Sequence, residues 1–298
     1  MRIAVLAKPT GWHAQDLRRA ATQSGHTLEV GSWRDLYGSV NSAGIAHVVA
    51  QTGDLLLDCF DAILLRTVPA GSLEQIIFRM DLLQTVEASG VCVINPPRAI
   101  EVAVDKYLAL SRMQAAGIPV PDTIVCQRVD DAIAAFDELG GHVVVKPLFG
   151  SEGFGITDVK DVAIAQRVFT MLERMGAVIY LQRFIAHDGS DMRLFVLGDR
   201  VLAAMRRTSA DWRTNIARGA KGQAFEPDAV IVDLALRAAK ACGAPVAGVD
   251  VLIGPHGEPY VLEVNAVPGW RAMTSVTGID VAVEQLAYVE RLSRALPG

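Results

Sequence analysis

The stretch that decides the fold is "YVLEVNAVPG", residues 260–269. Val261, Leu262, Val264, Ala266 and Val267 describe a buried strand, yet Glu263 and Asn265 sit inside it. Alternate side chains of a strand share a face. The acid and the amide therefore point the same way, and Pro268-Gly269 ends the strand. The preceding apolar run, 247–253, carries Asp250, and the turn GPHGEP (254–259) joins the two runs as a hairpin. With Ile253 paired to Tyr260, Asp250 falls opposite Glu263, and directly paired residues lie about 5 Å apart at Cβ. Two neighbouring buried carboxylates repel unless protonated or neutralised. Oxygen ligands without His or Cys suit a hard cation, Mg²⁺ or Mn²⁺, which commonly arrives with phosphate. A half-exposed hairpin with solvent-facing polar residues is the plainer alternative.

Outward from that hairpin, 298 residues suggest two or three modest domains or one large α/β unit. Hydrophobic residues make up 51% and charged residues 20%, a globular composition with ample core. A net charge of -5 argues against a general nucleic-acid binder, while leaving room for a local basic pocket. Cys59, Cys92, Cys126 and Cys242 are far apart and form no CxxC pair, so a reduced setting is expected rather than a zinc or disulfide framework. The opening MRIAVLAKPTGW is too short an apolar run for a secretory signal. No stretch approaches the ~20 apolar residues that cross a bilayer. The expectation is a cytoplasmic protein that contacts neither membrane nor nucleic acid.

Over residues 1–97, strands (2–7, HTLEVGSW, 61–68, 91–95) alternate with helices (13–24, and 72–89 with its Ser-x-x-Gln start), which predicts a parallel α/β domain. The 72–89 helix is apolar enough to form a subunit contact in a homo-oligomer. Residues 98–180 read as a second, α+β unit: a helix around Val102–Ala116, the strand HVVVKPL, a glycine-rich loop and a helix over 161–175. Residues 181–298 read as a third. AVIYLQRFI, DMRLFVLG and RVLAAMRRT are antiparallel strands, the last two turning at Gly198-Asp199. A polar stretch (209–227), a helix (228–242), the opening hairpin and a closing helix (279–296) follow.

Four further constellations carry charge. In VVVKPLFGSEGFG (143–155), Lys146 closes a strand before Gly150, Gly153 and Gly155, a loop able to bring backbone N–H groups close to phosphate. It is neither a Walker A loop nor a Rossmann fingerprint, and alone it equally describes a hairpin turn. Lys106 sits near a helix start and, alone, reads as a surface lysine. Arg206 and Arg207 end a strand before Arg213, Asn215, Arg218 and Lys221, a basic cluster suited to carboxylate or phosphate. A solvated loop is the alternative. Arg66 follows a parallel-type strand at its carboxyl end, where such sheets bind ligands, and Arg79 lies on the next helix. Either suits an anionic substrate, and helix-surface pairing accounts equally well for Arg79. The six histidines are scattered, His256 in the hairpin turn, and no Ser-His-Asp or Cys-His arrangement stands out.

The order of these parts resembles the ATP-grasp superfamily over the whole chain, and within it the RimK-type amino-acid ligases. The segments are KPLFGSEGFGI, DMRLFVLGDRVLAAMRR, WRTNIARGA and VLEVNAVPG. The stretch from RTVPAGSLEQ to VDKYLAL looks most like the glutamate ligases that act on tetrahydromethanopterin. The resemblance implies a parallel-sheet domain followed by two subdomains clasping ATP. Lys106 and Lys146 would contact its phosphates, and Ser151, Gly153 and Gly155 would belong to a closing loop. Gln182, Arg183, Phe184 and Ile185 would form the adenine hinge, where the family usually carries Glu in place of Arg183. Asp191 would face the ribose or the adjacent nucleotide region, and Arg213 and Asn215 the phosphoryl groups, Arg213 and Lys146 acting in catalysis. Asp250, Glu263 and Asn265 would bind two Mg²⁺ or Mn²⁺ ions. Arg66, Arg79, Arg193 and Arg206 are left as substrate candidates. The implied reaction activates a carboxylate as an acyl phosphate, with ADP released, and joins it to an amine, with L-glutamate and a pterin-type acid as substrates. Glutamylation of a protein tail or carrier protein, and a non-catalytic nucleotide-binding regulator, are the alternatives.

Overall fold

A computed structural model describes residues 1–41, 44–50, 53–150, 155–216 and 219–295. Its first sheet is built from β1 (Arg2–Leu6), β2 (Thr27–Asn41), β3 (Gly44–Ala50), β4 (Gly53–Leu56), β5 (Ala62–Leu65) and β6 (Cys92–Ile94), in the order β4-β3-β2-β1-β5-β6. β2, β1, β5 and β6 run parallel, as the alternation of strand and helix requires. The antiparallel extension through β3 and β4 was not expected, because that region lacks clean two-residue alternation and its pairing is tertiary.

Helix α1 (Trp12–Gln23) packs with Ile3, Val5 and Ala7 on one face of this sheet. On the other face, α2 (Leu73–Ala88) packs with Ala4 and Leu6. Strand order therefore reverses between β1 and β5, which opens a crevice at their carboxyl ends. The expected capping box starts α2: Gln75 N donates to Ser72 Oγ (3.2 Å) and Ser72 N to Gln75 Oε1 (3.1 Å).

The helix expected around Val102–Ala116 is two, α3 (Pro97–Val104) and α4 (Lys106–Ala115). Asp105 breaks them by accepting from Leu108 N at 3.0 Å, the N-cap contact that favours Asp before a helix. A second sheet follows, ordered β7-β10-β8-β9, from β7 (Thr123–Cys126), β8 (Val143–Lys146), β9 (Thr157–Val159) and β10 (Ile179–Arg183). Helices α5 (Val129–Glu138) and α6 (Val162–Arg174) enclose its core around Phe136 and Phe169. β10 pairs with β7 and β8, so it belongs with this sheet and runs across residues 180 and 181.

The third sheet is antiparallel, ordered β13-β12-β11-β14-β15, with β11 (Ser190–Leu197), β12 (Arg200–Thr208), β13 (Lys221–Ala224), β14 (Val246–Ile253) and β15 (Pro259–Asn265). Helices α7 (Ala229–Ala241), α8 (Arg271–Thr277) and α9 (Val281–Ala295) complete the chain. The β11–β12 turn uses Gly198 at φ 66°, where a Cβ would come within 2.6 Å of the Tyr288 ring. In the β14–β15 hairpin, Ile253 pairs with Pro259 rather than Tyr260. An irregularity after Asp250 absorbs the slipped residue and sets Asp250 opposite Glu263 as expected. The buried Asn95 side chain ties the first sheet to the third, donating to the Val246 and Ala266 carbonyls and accepting from Val246 N. No helix among the described residues is long and apolar enough to cross a membrane.

Candidate active site

Odd-numbered residues of β11 and, from Ala203 onward, of β12 share one face of the third sheet with the even-numbered residues of β14. That face changes character along its length. Phe195, Leu197, Ala203, Met205 and Val246 are buried in one apolar cluster, while Asp191, Arg193, Arg207 and Asp250 make the other end charged. Asp250 is 3% exposed, and Arg193 grips both its oxygens, Nη2 to Oδ2 at 2.6 Å and Nε to Oδ1. Arg207, 4% exposed, reaches Asp250 Oδ2 at 3.1 Å and holds Asp191 with Nε to Oδ1 at 2.7 Å and Nη2 to Oδ2 at 2.5 Å. Burial pushes the Asp250 carboxyl up, but the Arg193 and Arg207 guanidiniums outweigh it and hold the group ionised.

Glu263 is freer. Its side chain is 36% exposed, accepts from Asn265 Nδ2 at 3.0 Å and lies 3.8 Å from Arg193 Nη2. Asp250, Glu263 and Asn265 thus come together as oxygen donors, with Glu263 and Asp250 facing a cleft between the second and third sheets. Among the described residues no cluster of three or more His, Cys, Asp or Glu is placed to hold an ion. The donor chemistry of two carboxylates and one amide still fits a hard divalent ion, provided Arg193 releases Asp250.

Opposite stand the lysines. Lys146, last residue of β8, donates to Gln182 Oε1 at 2.6 Å, and Gln182 in turn donates to Thr123 Oγ1 at 2.9 Å. Burial lowers the Lys146 ammonium to about 8, with Lys106 adding to the shift and Glu263 and Asp250 opposing it. Lys106, at the first position of α4, donates to the Gly150 carbonyl at 2.8 Å, and burial lowers it too. The two lysines and the acidic hairpin line one open cleft. Lys106, Lys146, Gln182, Arg183, Phe184, Ile185, Asp191, Arg213 and Asn215 all line it. Phe184 stacks on His142 at 4.0 Å between centroids, and Trp212 meets it edge-on at 6.0 Å. Arg213 pairs with Asp211 at 2.6 Å and lies over the Trp212 ring.

Some expected residues stand elsewhere. Arg206 is exposed on the opposite face, its guanidinium over Phe225 at 5.7 Å. Arg79 reaches back to the Pro69 carbonyl at 2.9 Å and braces the loop before α2. Arg66 lies at the crevice of the first sheet. Asp191 lines the cleft and gives both oxygens to Arg207. Gly155 has φ 75°, while Ser151, Gly153 and Arg218 lie outside the described residues. Three residues were missed: Arg207 as the central cation, the Gln182 side chain as holder of Lys146, and Trp212 on the cleft wall. The neighbouring Arg206 and Arg207 gave only an ambiguous signal.

An acidic hairpin facing two lysines across a cleft between two α+β units is the arrangement of an ATP-grasp ligase. Residues 1–100 match the RimK PreATP-grasp domain and 103–289 the RimK-like ATP-grasp domain, so the chain belongs to the RimK-like ATP-grasp family. It is 30% identical to the tetrahydromethanopterin:alpha-L-glutamate ligase of Methanosarcina acetivorans, over 96% of this chain and 98% of the relative. It is 32% identical to a probable alpha-L-glutamate ligase of Shewanella amazonensis, over 100% and 98%. Among solved structures, a RimK domain ATP-grasp protein from Sphaerobacter thermophilus aligns with a TM-score of 0.74 at 26% identity, covering 97% of this chain and 99% of that one. The ATP-grasp ligase PsnB, complexed with its minimal precursor, aligns at 0.77 and 22% identity over 97% and 98%, a likeness of fold. The protein is an ADP-forming ligase of carbon–nitrogen bonds, of the alpha-L-glutamate ligase type.

Proposed function

We propose that this ligase joins L-glutamate through its amine to the carboxylate of a pterin-type cofactor resembling tetrahydromethanopterin. The observation that carries the nucleotide half is the convergence of Lys106 and Lys146 with Glu263 and Asp250 on one cleft. Cations facing carboxylates suit a triphosphate bound with divalent metal. The pterin half is supported by the name of the Methanosarcina relative and by its near-complete coverage of the chain.

In this reading Asp250, Glu263 and Asn265 would hold two Mg²⁺ or Mn²⁺ ions, which would supply neutralisation of the phosphate charge. Lys146 and Lys106 bind the phosphates and spread the charge that develops as the acceptor carboxylate takes the γ-phosphoryl group and ADP departs. The glutamate amine then attacks the acyl carbon, phosphate leaves, and the amine proton passes to solvent or phosphate. Arg213 and Asn215 orient the phosphoryl group from the cleft wall. The backbone from Gln182 to Ile185, which lines the cleft, takes the adenine. Asp191 acts through Arg207, holding that guanidinium against Asp250.

The test is ADP release with Mg²⁺ and L-glutamate, with and without carboxylate acceptors, followed by product mass spectrometry. A glutamate-sized mass increase on a pterin acid is the expected result. Stimulation only by glutamate-ended peptides moves the acceptor to proteins, and no stimulation by any pair removes the ligase assignment for this chain.

A further inference from the structure

We propose that Arg66, His13 and Arg271 form a carboxylate-binding subsite above Trp270, at the carboxyl ends of β1 and β5, for one organic substrate of the ligase. The assignment rests on the ligase reading, because that reaction brings two carboxylate-bearing molecules to one enzyme.

Arg66 directly follows β5 and is 3% exposed. Among the described residues no acidic side chain pairs with it, and its Nε has no hydrogen-bond partner. Its main chain is pinned, since Trp33 Nε1 donates to the Arg66 carbonyl at 2.8 Å and Thr67 takes φ 42°. Its guanidinium lies 4.4 Å over the fully buried Trp270 ring. Burial alone lowers it to about 9. A guanidinium kept dry without a counter-ion costs stability unless something anionic arrives.

The neighbours leave that charge unanswered. His13 stands 4.6 Å from the Trp270 ring and accepts from Trp270 N at 3.2 Å. Burial first and Arg66 second push it down to about 4, so it carries no competing charge at neutral pH. Asp16, an acid whose charge acts on His13, is occupied by Trp270 Nε1 at 2.8 Å and Arg19 at 2.8 Å. Arg271 is exposed over the Trp12 ring at 5.7 Å and adds positive charge at the rim. Helix α1 opens at Gly11 with no side-chain cap, so its first N–H groups face the same crevice end without a side-chain acceptor. The guanidinium–indole floor suits a planar carboxylate, which Arg takes bidentately.

The subsite adjoins the phosphate chemistry. Arg193 and Phe195 share a face of β11, and Phe195 is buried in the same cluster as Trp270. At Gly248 a Cβ would lie 3.0 Å from Arg193 Nη1 and 3.1 Å from Pro268, two residues before Trp270.

The experiment is calorimetric binding of L-glutamate and of the dipeptide α-L-glutamyl-L-glutamate, each with Mg²⁺ and ADP present. Wild type, Arg66→Gln, Arg66→Lys and the surface variant Arg271→Gln are compared. One probe is expected to weaken at least tenfold in Arg66→Gln, several-fold in Arg271→Gln and less in Arg66→Lys, with ADP affinity unchanged throughout. Weakening of glutamate alone assigns the subsite to the incoming amino acid, and weakening of the dipeptide alone assigns it to the acceptor. Unchanged affinity for both probes, or no binding of either to wild type while ADP binds, overturns the subsite and leaves the ligase reading standing. If Arg66→Gln does not fold, Arg271→Gln decides by the same criterion. Failure of ADP to bind the wild-type protein strikes the ligase reading itself.

Discussion

Arg207 and Arg66 are buried to nearly the same degree, 4% and 3% exposed, and their surroundings are opposite. Arg207 lies between Asp191 and Asp250, which overcome the cost of its burial and raise its pKa above the ordinary value. Arg66 has an indole ring beneath it, no acid paired with it among the described residues, and a lowered pKa. Equal burial therefore means different things. The first arginine is part of the scaffold that fixes two carboxylates, and the second is a charge whose partner is not among the described residues. Buried charge marks a binding site only where pairing inside the protein is incomplete.

The same contrast separates Asp250 from Glu263, and here the largest effect is expected. Glu263 has an amide and a distant guanidinium for partners, so it is the acid most available to a metal ion. Glu263→Gln should lower turnover by about 10³-fold, as for loss of a transition-state contact, and leave the thermal unfolding midpoint unchanged. A variant with wild-type turnover would remove the metal assignment and erase the distinction between the two acids.

Next in size is stability. Arg207→Met leaves Asp191 buried and unpaired and should cost about 3–5 kcal/mol in denaturant unfolding. Arg66→Met removes a desolvated charge and one cation–π contact, and should change stability by less than about 1 kcal/mol in either direction. Equal losses in the two variants would break the comparison, because Arg66 would then be scaffold as well.

How much of this was legible in the sequence depends on register. The β14–β15 site was readable because Asp250, Glu263 and Asn265 lie on an apolar background. The expected pairing, one residue out at the turn, was restored by the irregularity after Asp250. The β11–β12 hairpin worked the other way. A regular turn at Gly198-Asp199 sets Asp191 opposite Arg206, but an irregularity between Phe195 and Val196 shifts the pairing and brings Arg207 to the site. One residue of slip exchanges the faces of a strand, and no local feature of DMRLFVLG announces it. The parallel core of the first sheet was readable from alternation. Its β3–β4 extension and the staple from Asn95 to Val246 depend on partners more than 100 residues apart or on weakly patterned segments, where sequence gives no signal.

A smaller effect tests the lysine side of the cleft. Lys146 sits at about 8 because burial disfavours its ammonium form, so the charge is present below that pH and lost above it. The kcat/KM for ATP reports the free enzyme and should fall roughly tenfold per pH unit above about 8. Lys146→Arg should stay flat over the same range, and Lys146→Ala should bind ATP more weakly at every pH. A wild-type profile flat to pH 9.5 would mean that Lys146 is better solvated, or better paired, than its burial implies.

The smallest effect belongs to Arg183, the position where the resemblance leads one to expect Glu. Its guanidinium reaches out to Asp122 at 2.9 Å, and both side chains are about half exposed, at 48% and 62%. Pairs of that kind contribute about 0–1 kcal/mol, because water screens them. The hinge main chain is held instead by backbone bonds, Arg183 N to the Asp122 carbonyl at 2.8 Å and Phe184 N to the His142 carbonyl at 3.0 Å. If adenine is read by that backbone, Arg183→Ala should change nucleotide affinity by less than about 1 kcal/mol, under tenfold in Kd. A larger loss would show that the exposed guanidinium itself contacts the nucleotide, placing Arg183 with Arg66 as a cation that acts on a ligand rather than on the fold.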